Sequence, residues 1–320
     1  CSISRAIQQN LEHIKEVTKD DCSPVTVADY AVQAIVAMAL RDSLPEGDCI
    51  IVGEEDATEL RKDGQASIRN AVVEAVRLWR TQASEDDVLD AIDACNHDGS
   101  ASGFWALDPV DGTKGFLRGQ HYAIALGRIE HGNVVAGVMG CPNLSADQGH
   151  PVHVNDPEGV VYAASEGAGA WEFAACDPDS APMRILASAY LEDKPLRFCE
   201  SAEKGHSNRG DSGRIIDSIG EEGEPVRLDS QCKYALVARG QADGYLRLPT
   251  SKSYVEKIWD HAAGMCIAQE AGAVVSDVHG NPLDFSQGKR LEANRGVICA
   301  IEGLQQRIIY SISDLGISQE

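Results

Sequence analysis

The sequence has no apolar run approaching the roughly 20 residues a membrane-spanning helix needs, and neither an internal repeat nor a low-complexity tract. It is also short of positive charge: 28 Lys and Arg against 50 Asp and Glu leave a formal net charge of -22. That balance excludes the basic footprint with which proteins neutralise a polynucleotide backbone or dock on an anionic membrane. Nucleic acid polymers and membranes are therefore not expected as partners. Paired CxxC cysteines are absent as well. Cys1, Cys22, Cys49, Cys95, Cys141, Cys176, Cys199, Cys232, Cys266 and Cys299 stand singly, which is neither a zinc pattern nor a small secreted disulfide framework. They are expected to be reduced, mostly buried small hydrophobes of an intracellular protein. The first residue is Cys rather than Met, so a targeting peptide could have been removed; cytoplasm is the expected compartment, with plastid or mitochondrion as the alternative.

What is present is a globular composition, 43% hydrophobic and 24% charged over 320 residues, enough for one large or two intimately packed domains around a substantial core. A chain this acidic repels a phosphorylated ligand unless bound cations or a local Lys/Arg cluster reverse the field. Any phosphate chemistry here would call for a metal site.

The spacing of Ala28, Val32, Ile35, Val36, Ala39 and Leu40 predicts a helix over 27–40, with Asp29 in its first turn. Residues 49–52 read as a short buried strand that stops at Gly53 and delivers Glu54 and Glu55. Residues 57–103 contain two amphipathic helices, over 68–79 and 88–94, and read as a surface insertion. From Phe104 an apolar stretch leads into a sharp turn through Asp108-Pro109-Val110-Asp111-Gly112-Thr113 and then a helix start. Two hairpins follow, 122–129 with 134–139 and 160–164 with 169–173, each with a glycine in its turn. Beyond Pro182, strands near 196–199, 226–228, 244–248, 274–275 and 297–300 alternate with helices near 210–219, 234–239 and 262–271, an α/β rhythm. The expected division is an α+β domain over 1–180 and an α/β domain over 181–320.

The sharpest local signal is the hexapeptide at 108–113. Proline fixes φ after Asp108 and glycine permits a tight turn, so Asp108, the Val110 carbonyl and Asp111 can aim three oxygens at one point, a hard-cation site. Gly112 and Thr113 then open a helix whose free N–H groups suit phosphate. The ordinary alternative is an Asp-Pro turn with a helix cap. Glu54 and Glu55 read alone as a solvated acidic turn, and Asp260 and Asp29 as helix N-caps. Their combination is less ordinary, because four acidic segments, each at a junction between elements, converge only through the tertiary fold.

Gly53-Glu54-Glu55, the hexapeptide, and Trp259-Asp260-His261-Ala262-Ala263-Gly264, in that order, resemble the signatures of the lithium-sensitive phosphatases related to inositol monophosphatase. The segments 23–30, 112–119, 200–207, 228–234 and 245–249 are similar to those of the 3'(2'),5'-bisphosphate nucleotidase branch, and the likeness runs from about Ser23 to Ala300. This resemblance implies a layered α/β/α/β/α sandwich of the sugar-phosphatase type. It implies that Glu54, Asp108, Val110 through its carbonyl, Asp111 and Asp260 hold two to three Mg2+ ions, and that Asp29 and Thr113 form the dyad that takes a proton from the attacking water. It further implies that His206, Ser230, Lys233 and Arg247, with Thr113 and Asp260, contact the substrate, Lys233 and Arg247 supplying positive charge. Read without the resemblance, those four are a surface histidine, a turn serine and two solvated cations.

The expected activity is hydrolysis of the 3'-phosphate of adenosine 3',5'-bisphosphate to AMP, with the 5'-phosphosulfate analogue as a second substrate and a link to sulfate assimilation. Lithium sensitivity and a monomeric state are expected alongside. An inositol polyphosphate 1-phosphatase shares the metal signatures and is the enzyme alternative; a non-catalytic nucleotide sensor is the alternative of another class.

Overall fold

A computed structural model describes residues 1–11, 24–45, 47–177, 179–192, 194–200, 209–220, 223–249, 251 and 253–317. Among these, strands β1 (Ile51–Gly53), β2 (Gly103–Asp111), β3 (Ala123–Glu130), β4 (Asn133–Cys141), β5 (Val160–Ser165), β6 (Gly169–Ala174) and β7 (Met183–Ile185) form one sheet in chain order. Only the β1–β2 pair is parallel; the rest is an antiparallel meander in which both predicted hairpins are found. The second sheet runs β11 (Ala273–Ser276), β12 (Val297–Ile301), β10 (Gly244–Arg247), β8 (Phe198–Glu200), β9 (Val226–Arg227). Its β8, β9 and β10 are mutually parallel and β12 is antiparallel to both its neighbours. Strand β7 lies beyond residue 180 and still belongs to the first sheet.

Helices complete the layers. On one face of the first sheet lie α1 (Ser2–Gln9), α2 (Pro24–Ser43), α3 (Ala66–Arg77) and α4 (Glu85–Asp93), with the short α5 (Thr113–Leu117) against α2. Between the sheets lie α7 (Cys232–Ala238) and α8 (Ala262–Glu270), and outside the second sheet α6 (Arg209–Ile219) packs on α9 (Leu304–Asp314). Strand alternation sorts β2 into the two cores: Phe104 and Ala106 join the cluster shared with α7 and α8, while Trp105 and Leu107 face the α2 side. Helix α8 is buried all round from Ala262 to Ala268, as a helix sandwiched between two sheets must be. The fold is thus the α/β/α/β/α sandwich.

Two sequence expectations are corrected. Residues 57–103 are not a surface insertion: Ile68, Val72, Val73, Val76, Val88, Leu89 and Ile92 are buried and build one core cluster with α2. Helix α2 also starts earlier than its apolar period, at Pro24, so Asp29 sits in its second turn. Nine cysteines fall among the described residues and all are free thiols, six of them buried. No described helix is long and apolar enough to cross a membrane.

Candidate active site

The floor of a cleft is laid by the ends of β1 and β2. Their parallel register sets Gly53 beside Leu107, so the next residues, Glu54 and Asp108, leave the sheet together. Gly53 is required there, since a Cβ would fall 2.7 Å from Gln33 Oε1 and 2.8 Å from Cys95 Cβ. Gln33, fully buried on α2, accepts from the Glu55 N–H (3.1 Å) and donates to the Glu55 carbonyl (2.7 Å), replacing the strand partner that the chain has just lost. The hexapeptide is not a turn after a strand, as its proline suggested. Strand β2 continues to Asp111 with a register irregularity between Asp108 and Asp111. Pro109 has no N–H to give, and the Val110 N–H bonds back to Asp108 Oδ1 (3.1 Å). Gly112 follows at φ 90°, where an added Cβ would meet Ser230 Cβ at 2.8 Å. Thr113 then starts α5, exposed, with Oγ1 3.5 Å from the Val110 carbonyl oxygen.

The facing wall comes from α7, β10 and the segment before α8. Ser230 adopts a positive φ of 75°, which turns the Gln231 N–H onto Asp111 Oδ2 at 2.6 Å. Lys233, in the first turn of α7, is buried, with Nζ 3.4 Å from the Leu228 carbonyl and over the ring of Tyr245 at 5.2 Å. Arg247 donates to Asp260 Oδ2 (3.0 Å), pairs with Glu256 (2.7 Å) and reaches the Tyr254 hydroxyl (3.3 Å). Behind it His261 Nε2 lies 3.3 Å from Glu256 and its Nδ1 2.8 Å from the Tyr234 hydroxyl, so the arginine rests on a buried relay. Asp260 precedes the α8 cap position, His261, and so is not an N-cap. Glu256, Asp260 and His261 are close enough together to chelate a cation, but the Arg247 guanidinium already bridges the two carboxylates.

The floor and wall enclose a cleft of about 340 Å³ lined by Glu54, Asp108, Val110, Asp111, Thr113, Ser230, Lys233, Arg247 and Asp260, together with Gly112, Lys114, Asp229, Gln231, Tyr245 and Tyr254. Three of its carboxylates are held above their ordinary pKa. Asp108 is well above the usual range because it is buried and because Glu54, Asp111 and Asp260 surround it. Glu54, the member most open to water, is pushed up to about 8 by desolvation and by Asp260, Glu55 and Asp111. Burial and Asp260 also raise Asp111, against the opposing charges of Lys233 and Arg247. Asp29 is buried behind the floor, outside the cleft lining, and is raised well above the usual range by burial and by Glu55 and Glu54. Across the cleft, burial lowers Lys233 against the pull of Asp111 and Asp229.

The model of one family, described as the inositol monophosphatase family, matches residues 3–315. The chain belongs to the inositol monophosphatase family. Its similarity to a 3'(2'),5'-bisphosphate nucleotidase of Schizosaccharomyces pombe is 41% identity over 304 residues, 92% of this chain and 84% of that protein. To a 3'(2'),5'-bisphosphate nucleotidase of Oryza sativa it is 40% over 328 residues, 98% of this chain and 90% of the other. Among solved structures, Mycobacterium tuberculosis SuhB superposes with a TM-score of 0.59 at 20% identity, covering 98% of this chain and 91% of that one. A structure titled 2'AMP bound SaIMPase-II gives 0.59 at 17%, covering 99% and 95%. At such identities the likeness is one of fold.

In this family member the structure gathers nine of the sequence candidates around one cleft, places Asp29 directly behind it, and leaves His206 outside the described residues. Sequence reasoning missed Glu256, Gln231 and Gln33, whose roles are to hold other residues. Glu256 carried a faint signal, an acidic residue four before Asp260. Gln231 lay within the 228–234 segment of the resemblance but was not singled out, and Gln33 carried no signal.

Proposed function

We propose that this chain is a phosphatase that hydrolyses the 3'-phosphate of adenosine 3',5'-bisphosphate, giving AMP and phosphate. The observation that carries the reading is the opposition of charge across one cleft: Glu54, Asp108, Asp111 and the Val110 carbonyl on the floor, two cationic side chains and a kinked serine on the wall, with Asp260 reaching in from the wall beside Arg247. The names of the relatives at 40–41% identity point to the same substrate class.

The donor set fits a hard divalent cation. Glu54, Asp108, Asp111 and Asp260 with the Val110 carbonyl offer only oxygen, and their mutual repulsion is what a cation would relieve. These residues would hold two to three Mg2+ ions, the metal type of this family. Bound there, Mg2+ would neutralise the phosphate oxygens and acidify water. The chain's own residues do the rest. Arg247 and Lys233 attract the 5'-phosphate and fix which end of the substrate reaches the floor. Ser230 and Thr113 offer hydroxyls on either side of Gly112. Thr113 and Asp29 accept the proton of the attacking water, Asp29 being made more basic than an ordinary carboxylate by its burial and by Glu55 and Glu54. The water oxygen forms the new P–O bond in line with the breaking one, and the 3'-oxygen departs with its electron pair and takes up a proton. No phosphorylated enzyme intermediate is involved. The same recognition of a 5'-anion extends to 3'-phosphoadenosine 5'-phosphosulfate as a second substrate.

Phosphate release from adenosine 3',5'-bisphosphate and from inositol 1,4-bisphosphate, each with and without Mg2+, tests this reading. Fast Mg2+-dependent release from the nucleotide alone is expected. Preference for the inositol would place the chain in the sister activity, and no release from either would leave a nucleotide sensor. For the dyad, a Thr113→Ala variant that binds nucleotide normally and keeps full turnover would show the proton acceptor to be elsewhere.

A further inference from the structure

Asp111 and Asp260 reach the cleft on different elements, one from β2 and the other from the turn before α8, and nothing in their own segments fixes the distance between them. Gln231 touches Asp111 and the backbone on both sides of Asp260. Its backbone N–H donates to Asp111 Oδ2 at 2.6 Å. Its side-chain amide donates through Nε2 to the carbonyl of Trp259, the residue before Asp260, at 2.9 Å, and accepts through Oε1 from the Gly264 N–H at 3.1 Å. The side chain is buried, 2% exposed, and both ends of its amide are used.

We propose that Gln231 is a positioning residue that straps the Asp260 turn to Asp111 and so sets the spacing of the carboxylates that receive the cation; this rests on the cation-dependent reading above. The amide is chemically required. A glutamate of the same shape would still accept from Gly264 but would turn a carboxylate on the Trp259 carbonyl, and a methionine would leave both backbone groups unmet. Either change spares the backbone N–H to Asp111, so it isolates the strap. Gln33 holds the Glu54–Glu55 exit from α2 with the same two-ended chemistry, so each side of the cation cluster is tied down by one buried amide.

The test is calorimetric titration of the full chain with Mg2+ alone, for wild type, Gln231→Glu, Gln231→Met and Val237→Ala. Val237 is buried on α7 and takes no part in the cleft, so its truncation reports plain loss of packing. Both Gln231 variants should raise the Mg2+ Kd by about 10- to 100-fold, the usual cost of losing an outer-sphere support. Val237→Ala should lose thermal stability and keep the wild-type Kd. Turnover of the Gln231 variants should recover as Mg2+ is raised, whereas Val237→Ala below its melting temperature should reach half-maximal turnover at the wild-type Mg2+ concentration. The two substitutions are independent tests, so one soluble variant suffices. A Gln231 variant with the wild-type Mg2+ Kd would overturn the strap, whatever its melting temperature. Absence of Mg2+ binding by the wild type would overturn the cation reading and the strap with it.

Discussion

The floor of the cleft and its facing wall hold opposite charge by different structural means. On the floor, Asp108 and its acidic neighbours are crowded with one another at the ends of two parallel strands, and their protons are held well above the usual carboxylate range. On the wall, every charge has a partner of opposite sign: Arg247 has Glu256 and Asp260, and Lys233 faces Asp111 and Asp229. The floor therefore crowds charges of one sign, whereas the wall pairs its charges, one of them across the cleft with Asp111, and displays positive charge to an anion. Under the proposed function, an acidic chain can thus handle a doubly phosphorylated ligand, because the repulsion concentrated at the floor is relieved by bound cations.

The contrast breaks most completely on the floor. Replacing Asp108 or Asp111 by Asn should cost about 1000-fold or more in kcat/KM, since several kcal/mol of transition-state charge stabilisation go with the cation. The same Asp108→Asn change should raise the melting temperature in chelator, because it removes a buried charge that its neighbours oppose. Loss of activity without that stabilisation would mean that the floor is not electrostatically crowded.

On the wall, Lys233→Met should raise KM for adenosine 3',5'-bisphosphate by about 10- to 100-fold, the worth of a charge-assisted contact, while leaving the Mg2+ dependence unchanged. An altered Mg2+ requirement would show that the two sides are one unit. Acidity gives a subtler separation. The floor carboxyls keep protons in the folded state that the unfolded chain would release in the ordinary carboxylate range. The folding penalty is therefore absent below that range and grows as pH rises towards the value of about 8 reached by Glu54. Thermal melts in chelator should fall across that interval, and Mg2+ should flatten the fall. The smallest effect is expected for Glu256→Gln, which removes one carboxylate from Arg247 but keeps a neutral acceptor; a rise in KM of about 5-fold, steady-state kinetics being the check, matches one ordinary hydrogen bond.

Legibility from sequence also divided along this line. The floor was readable because its logic is local: a glycine at a strand end followed by two glutamates, and a hexapeptide whose proline and glycine fix the backbone around two aspartates. The hairpins and the α/β rhythm beyond Pro182 were readable as well, while the layered sandwich came from the family resemblance. What failed was whatever depends on a partner distant in the chain. The periodicity of Ile68, Val72 and Val76 announced a helix but not what it covers, so a core element read as a surface insertion. Asp29 read as a first-turn residue because polar and apolar positions before Val27 show no period, although α2 begins at Pro24. Gln33 and Gln231 look like any other glutamine until Glu55, Trp259 and Gly264 are placed beside them.

Steady-state kinetics of wild type and Lys233→Met on adenosine 3',5'-bisphosphate and on 3'-AMP, which lacks the 5'-phosphate, test most directly whether the wall reads the 5'-anion while the floor handles the 3'-phosphate. Deleting the 5'-phosphate should cost the wild type heavily in kcat/KM and the variant little, because the lysine and the phosphate are then partners in one interaction. Equal losses in both proteins would contradict that division of the cleft.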